Sequence, residues 1–243
     1  MNTKSVFFLI SINFLSFPIL SQNAWNPDES MKIKSISQTD ISNDGKSVAY
    51  VVREPIMEDK KSEYLSQIWV TDTESKENIQ YTFNQKSSSS PKFSPDGKKI
   101  AFLSSRSGKN QIWIINTLGG EARMLTKEKK GVRSIKWSPD GKMISFLKSD
   151  DDTEDEIKSK ENKTDVILVD KNFKYSHIYS YHLDEDTVTK VTSGNYSVNS
   201  FDYSPNGKKI IFSHQEDTNI NTGFINTDIS VSYTHLRAHE TLL

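Results

Sequence analysis

The chain repeats one pattern of apolar and polar positions four times. In each copy, apolar residues alternate with small or polar ones after a turn, as Ile100 and Phe102 do on either side of Ala101. A period of two residues is typical of a strand that is buried on one face. Aromatic and β-branched residues fill many apolar positions, which favours strands over helices. The copies are ISNDGKSVAYVV at 41–52, FSPDGKKIAFLSS at 93–105, WSPDGKMISFLKS at 137–149 and YSPNGKKIIFSHQ at 203–215.

The Ser-Pro-Asp-Gly motif inside these copies predicts a tight turn between two strands. Pro fixes φ for the turn, Asp accepts hydrogen bonds from nearby amides, and Gly adopts a positive φ. The residue before the glycine lies at 44, 96, 140 and 206, so the steps are 52, 44 and 66 residues. Repeats of about 40–50 residues with several strands each are typical of propeller blades. Because they recur in register, Asp96 and Asp140 are predicted to be turn residues rather than ligands or general acids.

Further segments supply a third and a fourth strand to the repeats. The third strands are QIWVTD at 67–72, QIWIIN at 111–116 and HIYSYH at 177–182, and the fourth are IQYTF at 79–83, EARMLT at 121–126 and TVTKVT at 187–192. We therefore predict an all-β fold, an incomplete β-propeller with about four blades of four-stranded antiparallel sheets. The propeller is expected over 23–230, with blades around 36–84, 88–127, 131–194 and 197–230.

The longest step contains a strongly charged insertion, KSDDDTEDEIKSKENK at 148–163. Ile157 is its single apolar residue, so we expect an exposed, mobile loop. Four of its acids fall at positions 1, 3, 5 and 12 of a calcium-binding loop, namely Asp150, Asp152, Glu154 and Glu161. Position 6, where such a loop needs glycine, is Asp155, so we favour a solvated loop over a calcium site. A strand-like pattern resumes at DVILVD, 165–170.

The N-terminus predicts a signal peptide at 1–22. Lys4 precedes an apolar stretch at 6–20, and the small residues Ser21 and Ala24 lie near plausible cleavage points. The stretch is short of the roughly 20 apolar residues that a membrane span needs, so an uncleaved anchor is the less favoured alternative. The mature chain is expected in the periplasm or outside the cell.

The C-terminus departs from the repeat. Residues 228–230 resemble the start of another third strand, but the pattern stops at Val231. We therefore predict that 231–243 is a non-native tail. The alternative is a genuine unstructured terminus, since chain ends are often disordered.

Composition excludes several classes of function. The 243 residues include 31 basic and 32 acidic side chains, for a net charge of -1. That balance gives no electrostatic footprint for nucleic acid or an anionic membrane, so we expect neither as a partner. Cysteine is absent, which excludes disulfides, a thiol nucleophile, cysteine-ligated zinc and a lipid anchor on cysteine.

No catalytic, cofactor-binding or metal residue is assigned from the sequence. The five histidines do not form a zinc pattern, because such a site needs three or four convergent ligands. They are His177 and His182 at the ends of one strand, His214 after another, and His235 and His239 in the predicted tail. The serine motif Gly-x-Ser-x-Gly of α/β-hydrolases does not occur. Gly119 and Gly120 lie between two predicted strands and indicate a turn, not a phosphate loop.

Three segments resemble the N-terminal propeller of secreted prolyl oligopeptidase-family serine peptidases, in the acylaminoacyl-peptidase and dipeptidyl-peptidase branch. They are WNPDESM at 25–31, KSISQTDISNDGKSVAYVV at 34–52 followed by SQIWV at 66–70, and DVILVDKNFKYSHIYSYHLDEDTVTKVTSG at 165–194. The resemblance extends over about residues 25–230. Ser-Pro-Asp-Gly repeats also occur in TolB-like propellers.

The resemblance implies a propeller that caps a C-terminal α/β-hydrolase carrying Ser, Asp and His. It admits peptides and excludes folded proteins, and in some branches acidic side chains hold the substrate amino terminus. Glu154, Asp155 and Glu156 are only a loose match to such a clamp, and no catalytic residue can be transferred. We expect the substrate-gating portion of an exported serine peptidase, without its catalytic domain or any cofactor, acting on peptides.

Two alternatives to the peptidase remain open. The chain could instead be a non-enzymatic, TolB-like periplasmic binding or scaffolding propeller. An isolated group of about four blades could also lack a function, because unpaired edge strands favour aggregation.

Overall fold

The computed structural model describes residues 27–58, 61–164, 173–216 and 227–233. The chain divides into two compact units, Met1–Ile33 and Lys34–Leu243. In the first unit, α1 (Pro27–Met31) is a short helix with proline at its start, where the fixed φ of proline suits a helix. The predicted signal peptide lies outside the described residues. No helix in the described part of the chain is long and apolar enough to cross a bilayer.

The second unit contains four antiparallel sheets in which strands that follow one another along the chain are hydrogen-bonded neighbours. Blade 1 consists of β1 (Ser35–Ile41), β2 (Ser47–Glu58), β3 (Lys61–Asp72) and β4 (Asn78–Gln80). Blade 2 consists of β5 (Ser88–Phe93), β6 (Lys99–Ser104), β7 (Gln111–Asn116) and β8 (Arg123–Met124). Blade 3 consists of β9 (Arg133–Trp137), β10 (Met143–Ser149), β11 (Ser176–His182) and β12 (Thr187–Lys190). Blade 4 consists of β13 (Ser197–Tyr203), β14 (Lys209–Gln215) and β15 (Asp228–Tyr233).

The predicted all-β propeller fold is confirmed, with four strands in each of the first three blades and three described strands in the fourth. Strand β15 pairs with β14 as far as the contact between Lys209 and Tyr233. It therefore includes 231–233, the first three residues of the segment predicted to be a tail. Residues 234–243 and the segment DVILVD at 165–170 lie outside the described residues.

All four repeated turns have the same geometry. In blade 2, the Ser94 hydroxyl donates to Asp96 Oδ1 at 2.5 Å and accepts from the Lys99 amide at 2.9 Å. Gly97 has a φ of +69°, a conformation that favours glycine. The same serine bonds recur in the other turns, and in blade 4 Asn206 replaces the aspartate. Asp96 and Asp140 thus lie in the turns, as predicted, and the Ser94 hydrogen bond lowers the pKa of Asp96.

A polar clamp fastens the third strand of a blade to the segment after its fourth strand. In blade 1, Thr82 Oγ1 donates to Gln67 Oε1 at 2.5 Å and accepts from the Ile68 amide at 2.9 Å. The Gln67 side-chain amide also donates to the Asn84 carbonyl at 2.5 Å. Blade 2 repeats these bonds with Gln111, Thr126, Ile112 and Glu128. In blade 3 the glutamine position holds His177, which is buried.

Apolar side chains pack between neighbouring blades, because alternation along a strand sends one set to each face of the sheet. Ala49, Ala101 and Ser145 occupy the same register position in the second strands of blades 1, 2 and 3, and all three are 0% exposed. On the opposite faces, buried phenylalanines pack towards the preceding blade. They are Phe102, Phe146 and Phe212.

Blades 1 and 4 each have an exposed apolar face. In blade 4, Ile211 holds the register position of Ala101 and Ser145 but is 47% exposed. Ile229 and Val231 on β15 are exposed as well, at positions that a following blade covers in blades 1 to 3. In blade 1, Ile36 and Ile41 on β1 are the most exposed apolar residues, and Met57, Tyr64 and Ile79 are exposed as well.

The charged insertion forms a helix, α2 (Glu154–Glu161), so the prediction of a mobile loop is wrong for these residues. Thr153 and Glu156 form a capping box, which satisfies two amides at the start of the helix. Acids in the first turn and lysines in the last turn match the helix dipole. The helix buries no residue, and ion pairs such as Lys174–Glu156, at 2.5 Å, hold it to the sheet. The prediction weighed burial alone and neglected these signals.

Candidate functional site

The first strands of the four blades each carry a charged residue just before the turn motif. These residues are Asp40, Lys92, Lys136 and Asp202. Lys92 Nζ lies 2.6 Å from Asp40 Oδ1, and Lys136 Nζ lies 2.8 Å from Asp202 Oδ2. The two ion pairs therefore join blade 1 to blade 2 and blade 3 to blade 4.

Bulges in the first strands position these charged side chains. The pairing of β1, β5 and β9 with its neighbour is interrupted once, two residues before the charged position. There, Gln38, Ser90 and Ser134 have φ values of 52°, 53° and 55°. A bulge bends a strand and redirects its side chains, which is why the edges of functional sites often contain one. The Gln38 side-chain oxygen also accepts from the Ser90 amide at 2.7 Å.

Side-chain bonds to the backbone complete the junctions between the first three blades. Asp40 Oδ2 accepts from the Phe93 amide at 2.8 Å, in addition to the ion pair with Lys92. The Trp137 indole donates to the Lys92 carbonyl at 3.0 Å. The first strands of blades 2 and 3 are therefore each bonded to the first strands of both neighbouring blades.

These strands border a cavity of about 570 Å³, which we call the inner cavity. All but one of its polar groups come from the first strands of blades 2 to 4, and apolar parts of its wall come from the exposed face of blade 4, with Ile211 and Ile229. The polar residues are Ser90, Lys92, Ser134, Lys136, Ser200, Asp202 and Ser213. The volume is in the range of small-molecule and peptide sites. Its lining holds hydroxyl groups and paired charges, which can hydrogen-bond to a polar ligand.

Asp40 provides a test of these junctions. We expect Asp40→Ala to lower the free energy of unfolding by about 1–3 kcal/mol, because the Phe93 amide loses its acceptor. Asp40→Asn keeps an oxygen there and should cost less than about 1 kcal/mol, the scale of a partly exposed ion pair. Urea unfolding at low and high salt measures the change in unfolding free energy for both variants. Equal losses of stability in the two variants would contradict the importance of the hydrogen bond from the Phe93 amide.

The comparison with family models identifies this architecture. The model described as the TolB beta propeller domain matches residues 41–174, more than half of the 243-residue chain. The chain belongs to the TolB β-propeller domain family.

Relatives of this TolB-type propeller include peptidases. The uncharacterized peptidase YuxL of Bacillus subtilis (strain 168) is 33% identical over 81 residues, which cover 33% of this chain and 12% of YuxL. The fold resembles that of an acylaminoacyl peptidase from Pyrococcus horikoshii, with a TM-score of 0.64 at 21% identity over 90% of this chain and 34% of the peptidase. TolB from Acinetobacter baumannii has a TM-score of 0.50 at 17% identity over 83% of this chain and 44% of TolB. The chain thus spans about one third of the archaeal peptidase.

The histidines of the TolB-type propeller do not converge on a metal site. His177 is buried in β11, and burial lowers its pKa to about 4. His182 and His214 hydrogen-bond to threonine and serine hydroxyls on adjacent strands. His235 and His239 lie outside the described residues. Within the described ranges, no group of three or more His, Cys, Asp or Glu side chains could hold a metal ion.

Four acids of the insertion form ion pairs, namely Asp150, Asp151, Asp152 and Glu156. Asp152 lies between Lys130 and Lys160, at 2.7 and 2.8 Å, and hydrogen bonds from these lysines lower its pKa to about 2. Of the loosely matched clamp residues, Glu154, Asp155 and Glu156 form the first turn of α2. Glu156 accepts from the Thr153 amide there. In this structure it therefore caps a helix.

Sequence reasoning placed Gly119 and Gly120 correctly in a turn, where both have positive φ, but missed the inner cavity. The signal was present, since the residue before each turn motif is Asp, Lys, Lys or Asp in the four copies. It also missed the polar clamp. Glutamine and threonine 15 residues apart recur in two blades, at Gln67 with Thr82 and at Gln111 with Thr126.

Proposed function

We propose that this TolB-type propeller is the N-terminal, substrate-gating part of an exported serine peptidase. The observation that carries the proposal is the 33% identity to a protein named as a peptidase. The likeness of fold to an acylaminoacyl peptidase, over 90% of this chain, agrees with it. The signal-peptide pattern at 1–22 supports export, and the net charge of -1 supports peptides rather than nucleic acids or membranes as partners.

The propeller would contribute size selection rather than chemistry. Its inner cavity presents serine hydroxyls and charged groups that can hydrogen-bond to a peptide backbone. Acyl transfer in the complete protein would use a serine nucleophile, a histidine that moves the proton and an acid that orients the histidine. The Gly-x-Ser-x-Gly motif of such a serine is absent from the 243 residues, so these groups would come from a hydrolase domain that follows the propeller.

The test is to sequence the gene downstream of the codon for Ser230 and to express the complete product. We expect an open frame with a Gly-x-Ser-x-Gly motif whose serine is labelled by a fluorophosphonate probe. The product should hydrolyse short acylated peptides and leave folded proteins intact. Changing the motif serine to alanine should abolish both labelling and hydrolysis, which separates the proposed chemistry from that of a contaminating enzyme.

The family match itself favours a second candidate, a non-enzymatic TolB-like binding or scaffolding propeller. In that case the downstream sequence should contain further blades and a stop codon, without a serine motif. A complete product that is not labelled by the probe would refute the peptidase and support this alternative.

A further inference from the structure

We propose that a second, basic cavity between blades 2 and 3 binds a carboxylate, the C-terminal carboxylate of a short peptide, and that Asp152 competes with it. The cavity has a volume of about 390 Å³. It lies where β6 turns into β7 and where blade 2 connects to β9, so it is at the opposite end of the sheets from the repeated turns. The choice of a peptide rests on the proposed function.

All charged residues that line this basic cavity are positively charged. Lys109, Lys130 and Arg133 line it, and no acidic residue does. Arg133 donates from Nη2 to Ser176 Oγ at 2.9 Å and to the Val198 carbonyl at 3.3 Å. Its Nε and Nη1 have no partner among the described residues, and no carboxylate in that part of the chain pairs with it. A guanidinium stays protonated, so it offers a fork of donors that fits a carboxylate.

Neutral donors accompany the three cations. The hydroxyls of Ser105 and Ser149 and the side-chain amide of Asn110 also belong to the lining. None of these side-chain groups has a hydrogen-bond partner in the described part of the protein. Gly131 shapes the cavity wall, because its φ is +80° and a Cβ there would lie 3.0 Å from the Asn110 carbonyl oxygen. The cavity thus combines charge with donors that can reach a second oxygen atom.

One of these cations already forms an ion pair with a carboxylate of the protein. Asp152 Oδ1 lies 2.7 Å from Lys130 Nζ, and Asp152 Oδ2 lies 2.8 Å from Lys160 Nζ. Asp152 precedes α2, so the insertion in blade 3 brings an acid to the edge of a cavity that begins in blade 2. This contact shows that the Lys130 ammonium group can bind a carboxylate at this position. An incoming carboxylate would replace Asp152 as the ion-pair partner of Lys130. Asp152 would keep its ion pair with Lys160.

The wall favours a peptide end over a free anion. Val132 and Leu147 lie in the wall but are only 4% and 0% exposed, so the apolar surface next to the cations includes the carbon stems of Lys109 and Lys130. A carboxylate with an adjacent apolar side chain matches that combination better than inorganic phosphate does. Small carboxylates such as acetate carry the same charge but lack the side chain. Competition by acetate therefore distinguishes a site for small anions from a site for a peptide end.

The experiment measures binding of a dye-labelled tetrapeptide with a C-terminal leucine to the 243-residue chain by fluorescence anisotropy. We expect the free acid to bind about tenfold more tightly than the C-terminal amide, the scale of a charge-assisted hydrogen bond. Acetate and phosphate should compete only weakly. Equal binding of acid and amide would overturn the carboxylate site, and phosphate competing as well as the peptide acid would overturn the assignment to a peptide.

Variants locate the site and test the competition. Arg133→Gln and Lys109→Gln should each weaken binding of the acid about tenfold, and Lys109 is a safeguard in case the Arg133 variant does not fold. Asp152→Asn should tighten binding roughly threefold, because a partly exposed carboxylate no longer competes for Lys130. The control Lys98→Gln, in a turn at the other end of the sheets, should change nothing. Weaker or unchanged binding in Asp152→Asn would refute the competition.

This test is separate from that of the proposed function. It needs no hydrolysis, so a failure to bind peptide acids leaves the peptidase proposal standing. A complete gene product without a reactive serine would refute the peptidase without altering the measured binding.

Discussion

Replacing His177 by glutamine should remove a large part of the stability that this propeller loses between pH 6.5 and pH 4. His177 is 1% exposed and occupies the position at which Gln67 and Gln111 form the polar clamp in blades 1 and 2. Its ring also lies edge-on to Tyr196, with centroids 5.5 Å apart. A glutamine side chain can make the clamp bonds in a neutral state at any pH, whereas histidine gains a charge in acid.

The direction of the effect follows from the lowered pKa. Burial, assisted by the charge of Lys190, lowers the pKa of His177 from 6.5 to about 4 in the folded protein. Between these values the unfolded chain binds more protons than the folded one, so stability falls as the pH falls. The contribution is intact above pH 6.5 and declines towards pH 4, where the loss reaches about 3 kcal/mol.

Urea unfolding of the wild-type chain and of His177→Gln at several pH values measures this effect. The difference between the two unfolding free energies should change by about 3 kcal/mol from pH 7 to pH 4, while the shared effect of other groups cancels. The converse variant, Gln111→His, should introduce acid sensitivity into blade 2. A constant difference across the pH range would show that His177 is already accessible to protons in the folded state.

The second large effect is expected at Phe146. Its side chain is fully buried in the core between blades 2 and 3, and its ring stacks on Tyr179 at 6.0 Å. Phe146→Ala should lower the free energy of unfolding by about 3–5 kcal/mol, since it removes apolar contact and leaves a cavity. Denaturant unfolding followed by tryptophan fluorescence would measure the loss.

Ile211→Ala is the control for truncating an exposed apolar side chain on a second strand. Ile211 lies on the second strand of blade 4 but is 47% exposed, so its truncation should cost less than about 1 kcal/mol. A loss as large as that of Phe146→Ala would mean that a partner covers the exposed face of blade 4 in solution. Size-exclusion chromatography with light scattering would then show whether that partner is a second copy of the chain.

The sequence predicted the fold well because local signals repeat. The Ser-Pro-Asp-Gly turn combines three residues that each favour the same conformation, and the alternation after it places Ile100 and Phe102 on one face of a strand. The insertion was harder, since it has one apolar residue and periodicity says nothing about capping. The helix there begins with a capping box formed by Thr153 and Glu156, which are three residues apart. This motif is short and lies within a run of charged residues, so it is easily overlooked.

The candidate sites were less predictable because they depend on contacts between blades. Lys92 reaches Asp40 across 52 residues, and Lys130 reaches Asp152 across 22, so neither pair follows from local spacing. The replacement of glutamine by His177 is visible in the sequence alone. Its burial is not, since it requires the clamp and the ring of Tyr196 to be in place.

The exposed apolar faces of blades 1 and 4 bear on how such a chain folds. Each blade that is completed covers the face of the one before it, as blade 2 covers Ala49. The face with Ile36 and Ile41 lies on the side of blade 1 away from blade 2, so in a closed ring it is covered only when the ring closes. Uncovered apolar strands are prone to aggregate during such an interval. A holdase chaperone would therefore be needed most at the first blade, until the remaining blades have folded.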